Sequence, residues 1–260
     1  MNAADLAAKL AQARAEARVV QTDNSSELIV SIDDAYRVQS ELAALADGDI
    51  RGWKVTALTP QDQSKFSSSR PVAGILLDRY VHRTPATLAL SQLVTPLLEC
   101  EIAFVLGADL PPRSTPYDRC EIEAAVEAVV AAMEVADSRV TASAPDLMKL
   151  ADSMGNGAFV IGEPVSGWRG LDLTDIAIRL KADNGERQNG NSARILGDPF
   201  LALLALANAQ PLPAGGLKKG QIITTGTCTT PVKPREGEYI ADFGPLGELR
   251  VSFVNEPVKI

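Results

Sequence analysis

Hydrophobic positions along this chain recur with two different periods, and the switch between them outlines its architecture. Over residues 3–18, apolar side chains return at helical spacing among Ala, Lys, Arg and Glu, which predicts a helix. Residues 19–30 read as a mixed connection. Ser31, with acids at Asp33 and Asp34, is a helix start; Ala35, Val38, Leu42 and Leu45 continue it as one apolar stripe, and Gly48 ends it. From Arg51 the period falls to two. Residues 51–58 predict a strand with Trp53 and Val55 on one face and Lys54 and Thr56 on the other. A polar, Ser-rich loop over 59–70 follows, an ordinary linker by default or else a lid. An apolar run over 71–77 then ends at Asp78, and residues 97–105 read as a buried strand.

Residues 107–116 form a Pro-rich turn, and 118–130 predict a helix striped by Ile122, Ala125, Val126, Val129 and Val130. That helix leads into a strand carrying Glu134. Residues 171–182 alternate like a strand, Asp183-Asn184-Gly185 signals a hairpin, and 189–192 read as a loop. Pro199 is suited to the first position of a helix that runs to about Ala209. A strand over 221–225 ends in Gly226-Thr227, and a last hairpin pairs 239–243 with 248–253. No repeat and no linker divides the second part. The expectation is a helical part, residues 1–50, packed on a single body, residues 51–260.

The chemistry is concentrated in the strand Leu98-Glu99-Cys100-Glu101-Ile102. Residues i and i+2 share a face, so Glu99 and Glu101 lie together while Cys100 points away. Spacing alone leaves two readings open. Either the pair lies on the wet face of a half-exposed strand, or it is buried and a proton or cation offsets the repulsion. Glu134 is a third acid, isolated in the apolar run Ala131-Ala132-Met133-Glu134-Val135. Three carboxylates without a competing His or Cys suit a hard divalent cation such as Mg²⁺ or Mn²⁺. Lys54 is either a solvent-facing lysine on an edge strand or the partner of a substrate carboxylate. The Thr225-Gly226-Thr227 hydroxyls and amides can hold a carboxylate, or can satisfy a backbone turn.

Composition narrows the classes. The 260 residues, 46% hydrophobic, are enough for a sizeable core. A net charge of −8 argues against a nucleic-acid partner. No apolar run is long enough to span a membrane, and the N-terminus lacks a signal-peptide pattern, so a cytoplasmic location is expected. The three cysteines, Cys100, Cys120 and Cys228, are scattered, as in a reduced chain. His82, the single histidine, excludes multi-His zinc sites and reads as a surface residue.

Together, Gly52-Trp53-Lys54-Val55, Leu77-Asp78, the Glu99–Glu101 pair, the Glu134 strand and Thr224-Thr225-Gly226-Thr227 resemble the fumarylacetoacetate hydrolase superfamily. More narrowly, they resemble its 2-keto-4-pentenoate hydratase and 4-oxalocrotonate decarboxylase branch. It implies an α+β fold, a mixed β-sheet roll with flanking helices and a helical N-terminal part. It also implies a metal on Glu99, Glu101 and Glu134, catalytic roles for Lys54 and Asp78, a substrate-binding role for Thr225, Gly226 and Thr227, and a homo-oligomer. The segment Ala151-Asp152-Ser153-Met154-Gly155 departs from the family's A-D-N-x-S pattern, with Ser153 in place of Asn and Gly155 in place of Ser. No His precedes Glu99, which ranks carbon–carbon hydrolysis third. The expected activity is hydration of a 2-hydroxy-2,4-dienoate (a 2-oxo-3-enoate) to a 4-hydroxy-2-oxo acid, in meta-cleavage of aromatic compounds. The alternative is decarboxylation of a 2-oxo-3-enedioate.

Overall fold

The computed structural model describes residues 2–20, 29–46, 50–210 and 212–256. Helix α1 (Ala3–Ala15) starts in a capping box between Asn2 and Asp5 and buries Leu6, Ala7, Leu10 and Ala13. Helix α2 (Ile32–Leu45) is capped by Ser31, whose side chain accepts from the Asp34 amide. The Gly48 stop signal lies outside the described residues. The body follows as β1 (Ile50–Thr56), α3 (Pro60–Ser64), β2 (Val72–Leu77), β3 (Val81–Arg83), β4 (Ala86–Ala89) and β5 (Leu97–Leu106). Next come α4 (Arg119–Ala125), β6 (Val126–Ala136), α5 (Asp146–Ala151) and β7 (Asn156–Ile161). The chain closes with β8 (Ala177–Ala182), β9 (Arg187–Asn191), α6 (Phe200–Ala207), β10 (Ile222–Thr227), β11 (Gly237–Asp242) and β12 (Glu248–Val254).

The strands form two mixed sheets, ordered β2-β1-β10-β5-β6-β7-β3 and β4-β12-β11-β8-β9. Period-two alternation gives the larger sheet two different faces. Trp53, Cys100, Ile102, Phe104, Met133 and Val160 point outward into the main core, where Ile178, Tyr239, Val251 and Phe253 of the smaller sheet meet them. Leu76, Ala103, Val130, Ala132, Phe159 and Ile222 point inward and form a separate cluster. That cluster brings β2 against β7 although four strands separate them in the sheet order, so the sheet curls into a roll. Phe104, fully buried edge-on against Phe200, anchors the outer face. Truncating it to Ala is expected to cost about 3–5 kcal/mol.

Helix α2 covers the free edge of β2. The buried Gln39 amide donates to the Ala73 and Leu150 carbonyls and accepts from the Ile75 amide. One side chain thus pairs with an edge strand as a neighbouring strand would. No helix among the described residues is long and apolar enough to cross a membrane.

Several sequence expectations change. The helix read over 118–130 stops at Ala125, and Val126–Ala136 is strand. Its i, i+3, i+4 stripe coincides with positions that a two-sided buried strand also fills. Pairing with β5 along nearly its whole length decides for the strand. The 59–70 loop contains α3, capped by Thr59. The 171–182 strand begins only at Ala177, because an Asp172–Thr174 side-chain turn holds the residues before it. The 189–192 loop lies largely within β9, a polar edge strand paired with β8. Pro199 is the cap of α6 and not its first residue.

Candidate metal centre

Strands β5 and β6 position the acidic cluster by register. Glu99 pairs directly with Glu134, and Glu101 lies two residues further along the same face. All three point into the roll, and one oxygen from each lies within 4.8 Å of the others. Glu101 and Glu134 are fully buried, whereas Glu99 is half-buried. Lys54 enters from β1, in register with Thr224 of β10, which is in register with Ala103 of β5. Its ammonium lies 2.9 Å from Glu134 Oε1 and its side chain is 12% exposed.

Each buried glutamate has one oxygen held and one left over. Glu134 Oε1 accepts from Lys54 and, at 3.1 Å, from Asn156 Nδ2. Glu101 Oε2 accepts from the Gly226 amide at 3.2 Å. Glu134 Oε2 and Glu101 Oε1 are buried without a partner. A buried carboxylate oxygen without a donor costs several kcal/mol by the usual scale, so paired orphans indicate an absent ligand. An all-carboxylate donor set suits a hard divalent cation, and one oxygen from each of Glu99, Glu101 and Glu134 is close enough to the others to share one. The residues therefore fit such an ion.

The titration directions agree with that geometry. Burial, then Glu134 and Glu99, push the Glu101 carboxyl well above the usual carboxylate range. Burial raises Glu99 too, against the lowering influence of Lys54. Burial alone would lower the Lys54 ammonium, but the surrounding glutamates, Glu134 foremost, outweigh it and the net shift is upward. Lys54 is thus held as a cation.

Residues 79–254 match the model of the fumarylacetoacetate (FAA) hydrolase C-terminal family. The chain belongs to the fumarylacetoacetate hydrolase family. It is 27% identical over 261 residues to 2-oxo-hept-4-ene-1,7-dioate hydratase of Escherichia coli, covering 96% of this chain and 97% of that protein. It is 34% identical over 173 residues to a 4-oxalocrotonate decarboxylase of Pseudomonas sp, 64% of each chain. Among solved structures, 4-oxalocrotonate decarboxylase from Pseudomonas putida G7, complexed with calcium and acetate, superposes with a TM-score of 0.85 at 23% identity, covering 97% of both chains. This places the chain within the hydratase and decarboxylase branch, as an enzyme of the lyase type.

The remaining residues singled out by the family resemblance are placed differently. Asp78 opens a 3-10 turn after β2; its side chain is 61% exposed, and Arg51 lies 3.8 Å away. Gly74, not Asp78, is in register with Lys54, and four residues of strand separate those two by about 13 Å. Asp78 is therefore outside the carboxylate cluster. The Thr225 and Thr227 hydroxyls donate to the Ile102 and Thr229 carbonyls. Gly226 adopts φ +103 at a break in the β10–β5 register, and that turn directs its amide at Glu101.

Asn156 is the residue that sequence reasoning missed. It begins β7 directly after the left-handed run Ser153-Met154-Gly155. That turn sits tightly on β2, since a Cβ at Gly74 would lie 2.3 Å from the Ser153 carbonyl oxygen. An Asn at the head of a wholly buried strand was the available signal, because a polar group there needs a partner. The segment Asp137-Ser138-Arg139 builds a lock beside this turn. Arg139 Nε donates to Asp152 Oδ1 at 2.8 Å, and Asp137 accepts from the Val94 and Thr95 amides.

Proposed function

We propose that this lyase decarboxylates a 2-oxo-3-enedioate, with Mg²⁺ or Mn²⁺ held by Glu99, Glu101 and Glu134. The observation that carries the reading is Lys54, the one cation bonded to the carboxylate cluster among the described residues, while Asp78 stands apart from it. When bound, the metal would supply electrophilic polarisation of a 2-oxo acid. The protein's own groups supply the rest. The Lys54 ammonium balances the substrate's negative charge and holds a proton. As the terminal carboxylate leaves as CO₂, its bonding electrons shift through the conjugated chain to the C2 oxygen. A proton must reach that oxygen to give the 2-hydroxy dienoate, and Lys54 Nζ supplies it. Gly226 and Asn156 hold one oxygen of Glu101 and of Glu134, fixing which oxygens stay free. The decarboxylase relatives support this choice.

Hydration, the activity expected first from the sequence, is the second reading. Its support is the end-to-end similarity to the Escherichia coli hydratase. Hydration needs a base for the incoming water, and Asp78 would have to enter the site to serve. Incubating the Mg²⁺-loaded protein with a 2-oxo-3-enedioate and, separately, with a 2-hydroxy-2,4-dienoate tests both readings. CO₂ release from the first substrate only is the expected result. Heavy oxygen from labelled water at C4 of the second product, without CO₂ from the first, would replace decarboxylation with hydration.

A further inference from the structure

A cavity of about 190 Å³ lies between α1, α2 and the turn that follows β2. Leu10, Leu42, Leu45 and Leu77 form its apolar wall, and Arg14, Arg79, Tyr80, Arg139 and Asp152 line the polar side. Leu45 is 54% exposed, a large hydrophobic residue at the rim. Arg14 and Arg79 approach the Tyr80 ring here, their guanidinium carbons 3.5 and 5.7 Å from its centroid. None of Lys54, Glu99, Glu101 and Glu134 lines the cavity.

Arg14 is incompletely bonded. Its hydrogen bonds go to the main-chain carbonyls of Asn156 and Gly157, both from one terminal nitrogen. The guanidinium has five N–H donors, so Nε and the other terminal nitrogen keep donors with no acceptor among the described residues. Nearby carboxylates are engaged elsewhere: Asp152 by Arg139, and Asp137 by two backbone amides. Burial, then the adjacent Arg139 cation, depress the Arg14 guanidinium to about 9. A cation in that position gains from an added anion.

We infer that this cavity is a second binding site, for a small carboxylate with a short hydrocarbon chain, and that Arg14 is its anion partner. The forked guanidinium matches a planar carboxylate, and the leucine walls match an alkyl chain. At about 30 Å³ for each water-sized group, the space takes on the order of six heavy atoms. Asn156 stands between this site and the glutamates, its carbonyl towards Arg14 and its side chain towards Glu134. Binding here therefore requires neither the metal nor the proposed reaction.

The test is calorimetric titration of the full chain, stripped of metal, with pentanoate, pentan-1-ol and inorganic phosphate as probes. Saturable pentanoate binding is expected, with weaker binding of both other probes. Arg14→Gln should weaken pentanoate by about tenfold or more. Ala15→Phe, at an exposed lining position, should weaken it by filling the space without removing a hydrogen bond. Absence of saturable binding in the metal-free protein overturns the proposal. So does equal affinity in the parent and both variants, or phosphate binding as tightly as pentanoate.

Discussion

Two buried charged groups, one at Glu134 on β6 and one at Asp137 just beyond its end, are completed in opposite ways. Around Glu134, three carboxylates and one lysine leave two buried oxygens without a donor. Around Asp137, Arg139 and Asp152, the charged groups are tied to one another and to the backbone. Arg139 donates to Asp152 through Nε, and to the Asn156 and Asp152 carbonyls through its terminal nitrogens. The Arg139 amide adds a bond to Asp152 Oδ2. A satisfied network stiffens a fold, whereas a partly satisfied one is completed by something from outside. Glu101 and Glu134 are buried like Asp137, Arg139 and Asp152, so burial alone does not mark a functional site.

Substitution should separate the two groups. The largest effect is expected at Lys54, where Lys54→Met should lower turnover about 10²–10⁴-fold, far more than the loss of stability from unpairing the buried Glu134 explains. An unchanged kcat/KM would remove Lys54 from the chemistry. In the satisfied group the loss should fall on stability. Asp152→Ala strands Arg139 as an unpaired buried cation, at a cost of about 3–5 kcal/mol in urea unfolding. A neutral result there would mean the lock carries no structural role.

Glu101→Gln should show the opposite balance. Removing one of several mutually repelling carboxylates leaves stability unchanged or raises it by about 1 kcal/mol, while Mg²⁺ affinity is lost. The parent should also release protons on loading. The raised Glu101 carboxyl retains its proton above the ordinary carboxylate range, so an ion must displace it, and affinity falls as pH falls through that range. Calorimetry in buffers of different ionisation heat measures the release. Release that is undiminished in Glu101→Gln would assign the proton to another group.

The smallest effect is expected at His82, on β3 beside β7. Burial lowers its pKa below 6.5, so the unfolded chain takes up a proton before the folded one does. Stability should therefore decline as pH falls from 6.5 towards the folded value. His82→Gln should remove that increment, and an identical pH profile in the variant would show that His82 does not contribute it.

Much of the metal centre was legible in the sequence because strand alternation is local stereochemistry. The i, i+2 spacing of Glu99 and Glu101, and a lone acid in an apolar run at Glu134, describe a shared acidic face before any tertiary contact is known, though not whether it is buried. The capped start of α2 was legible for the same reason, since Ser31 and Asp34 are neighbours on the chain. The stripe over 118–130 was misleading only beyond Ala125, because Val126, Val129 and Val130 satisfy helical spacing and a strand buried on both faces alike. Only the β5 partner settles it.

The rest depends on register and on the curl of the sheet. Which residue opposes Lys54, which oxygen of Glu134 meets Asn156, and whether Asp78 enters the roll are all set by elements distant in sequence. Asn156 lies 102 positions after Lys54, yet both donate to one carboxylate oxygen. Gly226 reaches Glu101 because a register break on β10 turns its amide there. The sequence alone established that one strand face is acidic; burial of Glu101 and Glu134 is a result of the tertiary structure. Only the tertiary structure decided which oxygens remain free, because the donors that hold the others arrive from β1, β7 and β10, strands that meet only after the sheet has assembled.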